Sequence, residues 1–183
     1  MIMNGSTPAS TGEVGEVWLR GPNVMKEYWR DPGKLAVTKD GWFKTGDLGC
    51  VDKEGFLYIR DRIKDIIIRG GENIDSTSVE NALYADERVM EAAAVGVPHP
   101  RLGEFVAAVV SAKPGFKGQL TEASLIAAAA KSLPKFAVPV LVVIKDEPLE
   151  RTESGKILKP QLRKIARDVW EAKQKGEKSR TKL

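Results

Sequence analysis

The sequence predicts an α+β fold, in which a small mixed sheet with packed helices follows a β-rich segment. Three observations predict it. Short apolar segments separated by glycine-containing turns come first, and longer apolar strands interspersed with amphipathic helices follow. The length of 183 residues suits one domain with a remainder, or two small domains. The composition, 42% hydrophobic and 30% charged, is that of an ordinary globular protein.

The first sixty residues are expected to form short β-strands joined by turns. The segment Glu16 to Arg20 alternates in polarity, and glycine-containing dipeptides punctuate the chain after it. Met25 to Thr38 predicts a short irregular helical stretch, which Pro32 and Gly33 interrupt. Because the strands are few and begin abruptly, we expect them to be the rim of a larger barrel or sheet.

From Tyr58 onward the pattern predicts a compact α+β order. Tyr58 to Arg69 is expected to be a hairpin or strand pair that ends at Gly70-Gly71. Thr77 and Glu80 have the spacing of a capping box and predict the start of a helix. The buried positions of that helix are predicted to be Val79, Ala82 and Leu83.

Three strands and two helices complete the predicted fold. The strands are expected at residues 92–97, 105–112 and 138–144. A helix after Thr121 is expected to bury Leu125, Ala129 and Leu133 and to stop before Pro134. The last helix is predicted to begin at Pro160, with an apolar stripe formed by Leu162, Ile165, Ala166, Val169 and Trp170.

Charge and cysteine content exclude several classes of protein. The net charge is +4, but the segment from Lys156 to the end holds ten basic and three acidic residues, so the basicity belongs to the tail. Its one aromatic residue, Trp170, provides no stacking surface, and we expect no nucleic-acid binding. Cys50 and His99 are the only residues of their types, which leaves no disulfide and no Cys/His zinc site. The apolar runs are too short for a membrane span.

Two segments in the first half of the chain could carry chemistry. In FKTGD, residues 43–47, a glycine turn presents Asp47, whose carboxylate could accept hydrogen bonds from vicinal hydroxyls. An aspartate after glycine is also a common turn or cap residue. In YIRDRIKDIIIRGGENI, residues 58–74, Arg62 and Lys64 can project from one side of a strand, and Gly70-Gly71 lets the backbone approach a ligand. The alternative is a half-buried strand with a polar face.

Two further segments lie in the second half. RTESGKI, residues 151–157, lacks the first glycine and the Ser/Thr of a P-loop. Its Lys156 could neutralise charge on a phosphoryl group, although an isolated lysine is usually solvated. PHPRLGE, residues 98–104, contains His99 without a Ser, Asp or Cys partner at a recognisable spacing. A loop histidine is therefore the favoured interpretation.

In combination, these segments resemble a known family. GEVWLRGPNVMKEYW, DGWFKTGD, GFLYIRDRIKDIIIRGGENI, VGVPHPRLGE and LERTESGKILK are similar, in sequence and order, to the C-terminal third of adenylate-forming enzymes. That superfamily includes acyl-CoA synthetases, aryl-CoA ligases, luciferase and peptide-synthetase adenylation domains. The resemblance implies an ATP-dependent carboxylate-CoA ligase acting on a fatty or related acid. In this reaction a carboxylate and ATP form acyl-AMP and pyrophosphate, and coenzyme A then displaces AMP.

The resemblance also implies roles for individual residues. Asp47 and Arg62 match the residues that bind the ribose of ATP and AMP, and Lys64 matches the hinge. Lys156 matches the catalytic lysine that bridges carboxylate and α-phosphate during adenylation. Gly70 and Gly71 match the wall of the tunnel for the pantetheine arm of coenzyme A.

The resemblance further implies how the chain divides. Residues 1–60 would be the end of the large N-terminal domain, 61–64 the hinge, 65–170 the C-terminal lid domain, and 171–183 a basic flexible tail. The family's phosphate loop and its adenine-stacking segment have no counterpart here, and the Mg²⁺ ligands are expected mostly in the missing N-terminal domain. We therefore expect an incomplete enzyme, from truncation, from a split gene, or because the chain works with a separate domain.

Two hypotheses about function follow. One is an enzyme piece whose partners are the missing N-terminal domain, a small carboxylic acid and coenzyme A. The other is a stand-alone, non-catalytic binding or regulatory module derived from the same domain. The last three residues, Thr181-Lys182-Leu183, resemble the Ser-Lys-Leu peroxisomal address, with cytoplasmic location as the alternative.

Overall fold

The computed structural model describes residues 1–30 and 37–180, with side chains through residue 176. The chain divides into two compact units, Met1–Asp65 and Ile66–Leu183. Among the described residues, no helix is long and apolar enough to cross a membrane.

The first unit is an antiparallel sheet of five strands. They are β1 (Ile2–Asn4), β2 (Thr7–Pro8), β3 (Gly15–Leu19), β4 (Phe43–Val51) and β5 (Leu57–Arg62), in the spatial order β2-β1-β3-β4-β5. Its buried hydrophobic side chains are Ile2, Met3, Val17, Trp18 and Cys50, and Asp61 is buried as well. A 3₁₀ turn, Ile63–Asp65, ends the unit.

In its described residues, the second unit contains a mixed sheet and three α-helices. Its elements are β6 (Ile67–Arg69), β7 (Glu72–Ile74), α1 (Ser76–Tyr84), β8 (Val89–His99), β9 (Gly103–Ala112), α2 (Glu122–Ala129), β10 (Leu141–Lys145) and α3 (Lys159–Arg180). Strand β9 pairs with β8 antiparallel along one edge and with β10 in parallel along the other. The α+β class and the mixed sheet that the sequence predicts are confirmed.

The long strands β8 and β9 are buried on both faces. Alternate residues point to opposite sides, so Ala92, Ala94 and Val110 pack with α1 and α2. Ala93, Val95 and Val109 pack on the other side with Leu162, Ala166 and Trp170 of α3. Burial on both faces explains why these strands are nearly continuous apolar runs in the sequence. The unit is thus a sheet between two helical layers.

Two boundaries differ from the sequence prediction. The predicted hairpin at Tyr58 to Arg69 is wrong, because β5 pairs with β4 in the first unit and β6 pairs with β7 in the second. The predicted capping box of Thr77 and Glu80 is also wrong. Asp75 caps α1 by accepting a hydrogen bond from the Ser78 N–H at 2.7 Å. The short, strongly accepting aspartate outcompetes the threonine two residues later.

The helices differ from the prediction in extent. Helix α3 continues through residues 171–180, where a flexible tail is predicted, because helix formers dominate and Lys173 pairs with Glu122 of α2 at 3.2 Å. Val169, a member of the predicted apolar stripe of this helix, is 39% exposed. The predicted helical stretch at Met25 to Thr38 falls partly on residues 31–36, outside the described residues, and its described part contains no helix.

Candidate functional site

Asp47 and Arg62 lie directly opposite each other on β4 and β5. The Arg62 Nε lies 3.2 Å from the Asp47 Oδ1, and both side chains are partly exposed. This contact joins one carboxylate oxygen to Nε, and the partial exposure of both side chains lets a ligand reach the second carboxylate oxygen and the outer guanidinium nitrogens. The structure therefore brings together the two residues that sequence analysis places at the ribose.

A local kink in β4 fixes the position of Asp47. Gly46 has a φ of 74°, a left-handed conformation that favours glycine. The Thr45 hydroxyl accepts a hydrogen bond from the Asp47 N–H at 3.0 Å and donates to the Val17 carbonyl at 2.8 Å. Glu16 on β3 accepts from the Gly46 N–H at 3.2 Å. The TGD turn is thus held by the neighbouring strand, and Glu16 is a supporting residue that the sequence analysis does not identify.

Lys64 lies in the middle of the 3₁₀ turn Ile63–Asp65, at the end of the first unit. The second unit begins at Ile66. Lys64 is thus one residue from the last residue of its unit.

Gly70 and Gly71 form the two-residue turn between β6 and β7. Their φ values are 62° and 92°, so both are left-handed, as a tight hairpin turn of this length requires. The Gly70 N–H donates to the Leu102 carbonyl at 2.8 Å, which ties the turn to the β8–β9 connection. A Cβ on Gly71 would meet no atom within 4 Å, so the turn presents open space.

Lys156 follows a tight turn in the segment between β10 and α3. The Thr152 N–H donates to the Lys156 carbonyl at 2.7 Å, and the Gly155 N–H donates to the Thr152 carbonyl at 2.8 Å. The Lys156 N–H donates to the Thr152 hydroxyl at 3.1 Å. The backbone around Lys156 is therefore fixed, while its side chain is exposed and can reach a ligand.

A buried carboxylate lies at the base of this turn, and the sequence analysis does not identify it. Glu91 of β8 is 8% exposed and accepts hydrogen bonds from Arg151, the Leu149 N–H and Ser111. Burial raises the pKa of the Glu91 carboxyl, but the bonds from Leu149 and Arg151 outweigh burial, so the pKa lies below its usual range. A single glutamate inside the apolar run VMEAAAVGV is the signal that could have identified it, because a buried charge requires a partner.

The glycine turn and the lysine turn lie at opposite ends of the β8–β9 hairpin. Gly103, which pairs with Arg69 beside the glycine turn, also pairs with His99 at the end of β8. Glu91, which anchors the lysine turn, lies eight residues earlier in the same strand. At the usual rise of a strand, the two ends are roughly 26 Å apart.

His99 has a structural environment. Its Nδ1 accepts a hydrogen bond from the Leu102 N–H at 3.1 Å, and its ring stacks on Phe105 with centroids 4.1 Å apart. These contacts hold the β8–β9 connection. Among the described residues, no group of three His, Cys, Asp or Glu side chains could hold a metal ion.

The sequence of residues 78–156 matches the family described as AMP-binding enzyme C-terminal domain. The chain is 44% identical over 164 residues to trans-cinnamate:CoA ligase, peroxisomal, of Petunia hybrida, covering 88% of this chain and 28% of the relative. It is 43% identical over 169 residues to 2-methylpropanoate–CoA ligase of Humulus lupulus, covering 91% of this chain and 30% of the relative. The chain thus spans less than a third of the length of these relatives.

Solved structures agree with these matches. The chain is similar to ATP-bound MatB from Rhodopseudomonas palustris with a TM-score of 0.82 and 36% identity, covering 92% of this chain and 34% of that one. Sequence and fold agree that this chain is similar to the C-terminal portion of adenylate-forming enzymes of the luciferase-like superfamily. Residues 78–156 match the C-terminal domain family of AMP-binding enzymes, and the relatives that most of this chain resembles are named carboxylate-CoA ligases.

Proposed function

We propose that this chain supplies the lid and hinge of a ligase that activates a fatty or related carboxylic acid with ATP and transfers it to coenzyme A. The observation that carries the proposal is the presence of two different chemical surfaces on one small unit. An exposed lysine on a fixed turn lies at one end of the β8–β9 hairpin, and a side-chain-free glycine turn lies at the other.

In this proposal Asp47 and Arg62 bind the ribose of ATP and AMP. The free carboxylate oxygen of Asp47 accepts hydrogen bonds from the ribose hydroxyls, while Arg62 orients that carboxylate and donates from its outer nitrogens. The kink at Gly46 supports this role, because it holds Asp47 in place before the nucleotide arrives.

Lys156 acts in the first half-reaction. An oxygen of the substrate carboxylate attacks the α-phosphorus of ATP, and the bond to pyrophosphate breaks. Negative charge is concentrated around both reacting groups, and the Lys156 ammonium neutralises it. The hydrogen bonds within the turn hold the backbone of Lys156 in position for this contact.

The glycine turn acts in the second half-reaction. The thiol of coenzyme A loses its proton, its sulfur attacks the acyl carbonyl carbon, and AMP leaves. Gly70 and Gly71 form a wall along which the pantetheine arm passes, and the open space over Gly71 suits a narrow passage. The Mg²⁺ that accompanies ATP is assigned to residues of the missing N-terminal domain.

A hinge at residues 61–64 follows from the separation of the two turns. The two turns are attached to β8 at points roughly 26 Å apart, so in this proposal they do not face the same bound intermediate at once. We propose that residues 65–170 turn as a lid about Lys64, relative to residues 1–60, between the half-reactions. The position of Lys64 near the end of its unit supports this role.

Separation of the half-reactions tests the proposal. In the full-length ligase, Lys156→Ala is expected to lower acyl-AMP formation about 100- to 1,000-fold, because it removes a charge that stabilises the transition state. Thioester formation from supplied acyl-AMP is expected to continue. ATP–pyrophosphate exchange measures the first step, and acyl-CoA release measures the second.

The matched control is Lys131→Ala, which removes another exposed lysine from the same unit. It is expected to leave both steps unchanged. Equal loss of both steps in Lys156→Ala would contradict the role of Lys156. Unchanged ATP–pyrophosphate exchange in Lys156→Ala would favour the alternative hypothesis, in which the chain is a non-catalytic binding module.

We also propose a peroxisomal location, because Thr181-Lys182-Leu183 resembles a peroxisomal address and the cinnamate ligase of Petunia hybrida is named peroxisomal. These residues lie outside the described part of the structure. A fluorescent protein carrying the last twelve residues is expected to colocalise with a peroxisomal marker and to become diffuse without Leu183. A diffuse signal from the intact tail would favour the cytoplasm.

A further inference from the structure

The turn that carries Lys156 is fastened to the core of its unit at both ends. After the turn, Lys159 forms an ion pair with Glu80 of α1 at 2.8 Å, and Glu80 accepts from the Ala94 N–H of β8 at 2.9 Å. Before the turn, Arg151 contacts Glu91 of β8. Both fastenings therefore end on the same strand, β8.

Glu91 accepts four hydrogen bonds, two of them from Arg151, and these use the full hydrogen-bonding capacity of its carboxylate. One Glu91 oxygen accepts from the Nε of Arg151 at 3.1 Å and also from its Nη2. The other oxygen accepts from the Leu149 N–H at 2.7 Å and from the Ser111 hydroxyl at 3.3 Å. A buried carboxylate with this many donors is rigid, and so is the guanidinium that it binds.

The remaining nitrogen of Arg151 points into the turn. Its Nη1 donates to the carbonyl of Gly155. That carbonyl belongs to the peptide bond that joins Gly155 to Lys156. The guanidinium therefore restrains the orientation of the peptide plane that precedes the Lys156 Cα. One planar group thus links a buried carboxylate of β8 to the backbone beside Lys156.

We propose that Glu91 and Arg151 are positioning residues, which act through the Gly155–Lys156 peptide to aim the Lys156 ammonium during adenylation. This inference rests on the proposed function of Lys156. A purely stabilising role explains the geometry less well. An ion pair of this kind adds little net stability over an apolar pair, and stability alone does not require the bond to Gly155. A catalytic lysine on a glycine-containing turn does require such a restraint.

The kinetic test uses Arg151→Gln, Lys156→Ala and the double variant in the full-length ligase. Arg151→Gln is expected to lower the kcat of ATP–pyrophosphate exchange about 100-fold, as small misplacements of a catalytic group do, with the KM for ATP little changed. Because Arg151 acts through Lys156, the double variant is expected to be no slower than Lys156→Ala alone. Losses that multiply in the double variant would overturn the inference.

A second measurement uses the 183-residue chain and does not depend on activity. The Lys156 N–H is bonded to the Thr152 hydroxyl, so its hydrogen exchange reports the order of the turn. Exchange at Lys156 is expected to accelerate in Arg151→Gln and in Glu91→Gln, while exchange at Val109 in the core stays unchanged. Unaltered exchange at Lys156 would overturn the inference.

Arg88→Gln is the matched control, because it removes a different arginine from an ion pair, with Asp86, in the same unit. It is expected to leave both readouts unchanged. If Lys156→Ala retains normal adenylation, the proposed function fails. The hydrogen-exchange measurement alone then decides whether Glu91 and Arg151 order the turn.

Discussion

Glu91 joins two parts of the chain that are far apart in sequence. Its partner Arg151 lies sixty residues later, and its carboxylate also accepts the Leu149 N–H. Because the carboxylate is buried and its hydrogen bonds favour the charged form, folding and ionisation of this group are linked.

This linkage predicts a pH dependence of stability. The pKa of Glu91 is lowered in the folded chain, so protonation costs more there than in the unfolded chain. Its contribution is fully present above the ordinary glutamate pKa of about 4.3 and is lost as the pH falls through the lower, folded value. In urea unfolding, the wild type is expected to have a higher free energy of unfolding than Glu91→Gln at pH 7. This difference is expected to narrow below about pH 4.3.

The comparison with Glu91→Gln isolates this one group, because Asp86, whose pKa the Arg88 hydrogen bond also lowers, is present in both proteins. A difference in free energy of unfolding that stays constant from pH 7 to well below the ordinary glutamate pKa would contradict the linkage.

Sequence analysis identifies the site residues that lie in short local motifs. Asp47 and Lys156 each follow a glycine turn, and the structure has both turns where the motifs predict them. Glu16 and Glu91 could not be assigned roles, because each supports a turn more than twenty residues away in sequence. Such roles come from strand pairing and packing, which local spacing does not encode.

At the scale of elements, the pattern of apolar residues predicts the positions of strands and helices better than cap and turn motifs do. The apolar runs of β8 and β9 were sufficient to place both strands, because each is covered on two faces. The start of α1 was predicted wrongly because Asp75 and Thr77 are both acceptable caps and only the geometry chooses between them. The break between β5 and β6 is hard to see in the sequence because no glycine or proline separates the two strands.

The β6–β7 turn provides a prediction about stability. Gly71 has a φ of 92°, which an alanine adopts only with strain, whereas Gly115 has a conformation open to any residue. Neither position would crowd a Cβ. Gly71→Ala is therefore expected to lower the free energy of unfolding by about 1–2 kcal/mol through backbone strain alone.

Gly115→Ala is the matched control and is expected to change the stability little, or to raise it slightly. Urea midpoints of the two variants measure the difference. Equal midpoints would mean that the turn relaxes to accept a side chain.

At the scale of the whole molecule, the first unit exposes apolar side chains on and beside β5. Phe56 is 66% exposed and Ile59 is 58% exposed. Exposed apolar patches of this kind mark interaction surfaces, and the relatives are more than three times as long as this chain. Both facts support the proposal that another domain of the full-length ligase covers this sheet.

The 183-residue chain alone is accordingly expected to form no acyl-AMP, because nothing in it resembles the family's phosphate loop. Carboxylate-dependent ATP–pyrophosphate exchange, with a panel of aliphatic and aromatic acids, measures this. Exchange above background would contradict the need for the absent domain, and exchange restored by adding that domain separately would support a two-chain enzyme.

The placement of the two turns at opposite ends of one hairpin also limits how fast such an enzyme can turn over. If each half-reaction needs one end of the hairpin, the lid of residues 65–170 serves one half-reaction in each orientation. Time that it spends in one orientation is then unavailable for the other half-reaction. A substitution that favours one orientation then accelerates one step at the expense of the next, and turnover is fastest when neither orientation dominates. If coenzyme A binds the second orientation, as the proposed function implies, a high concentration of it would hold that orientation and slow the first step. Substrate inhibition by coenzyme A is therefore the expected kinetic consequence of the proposed function.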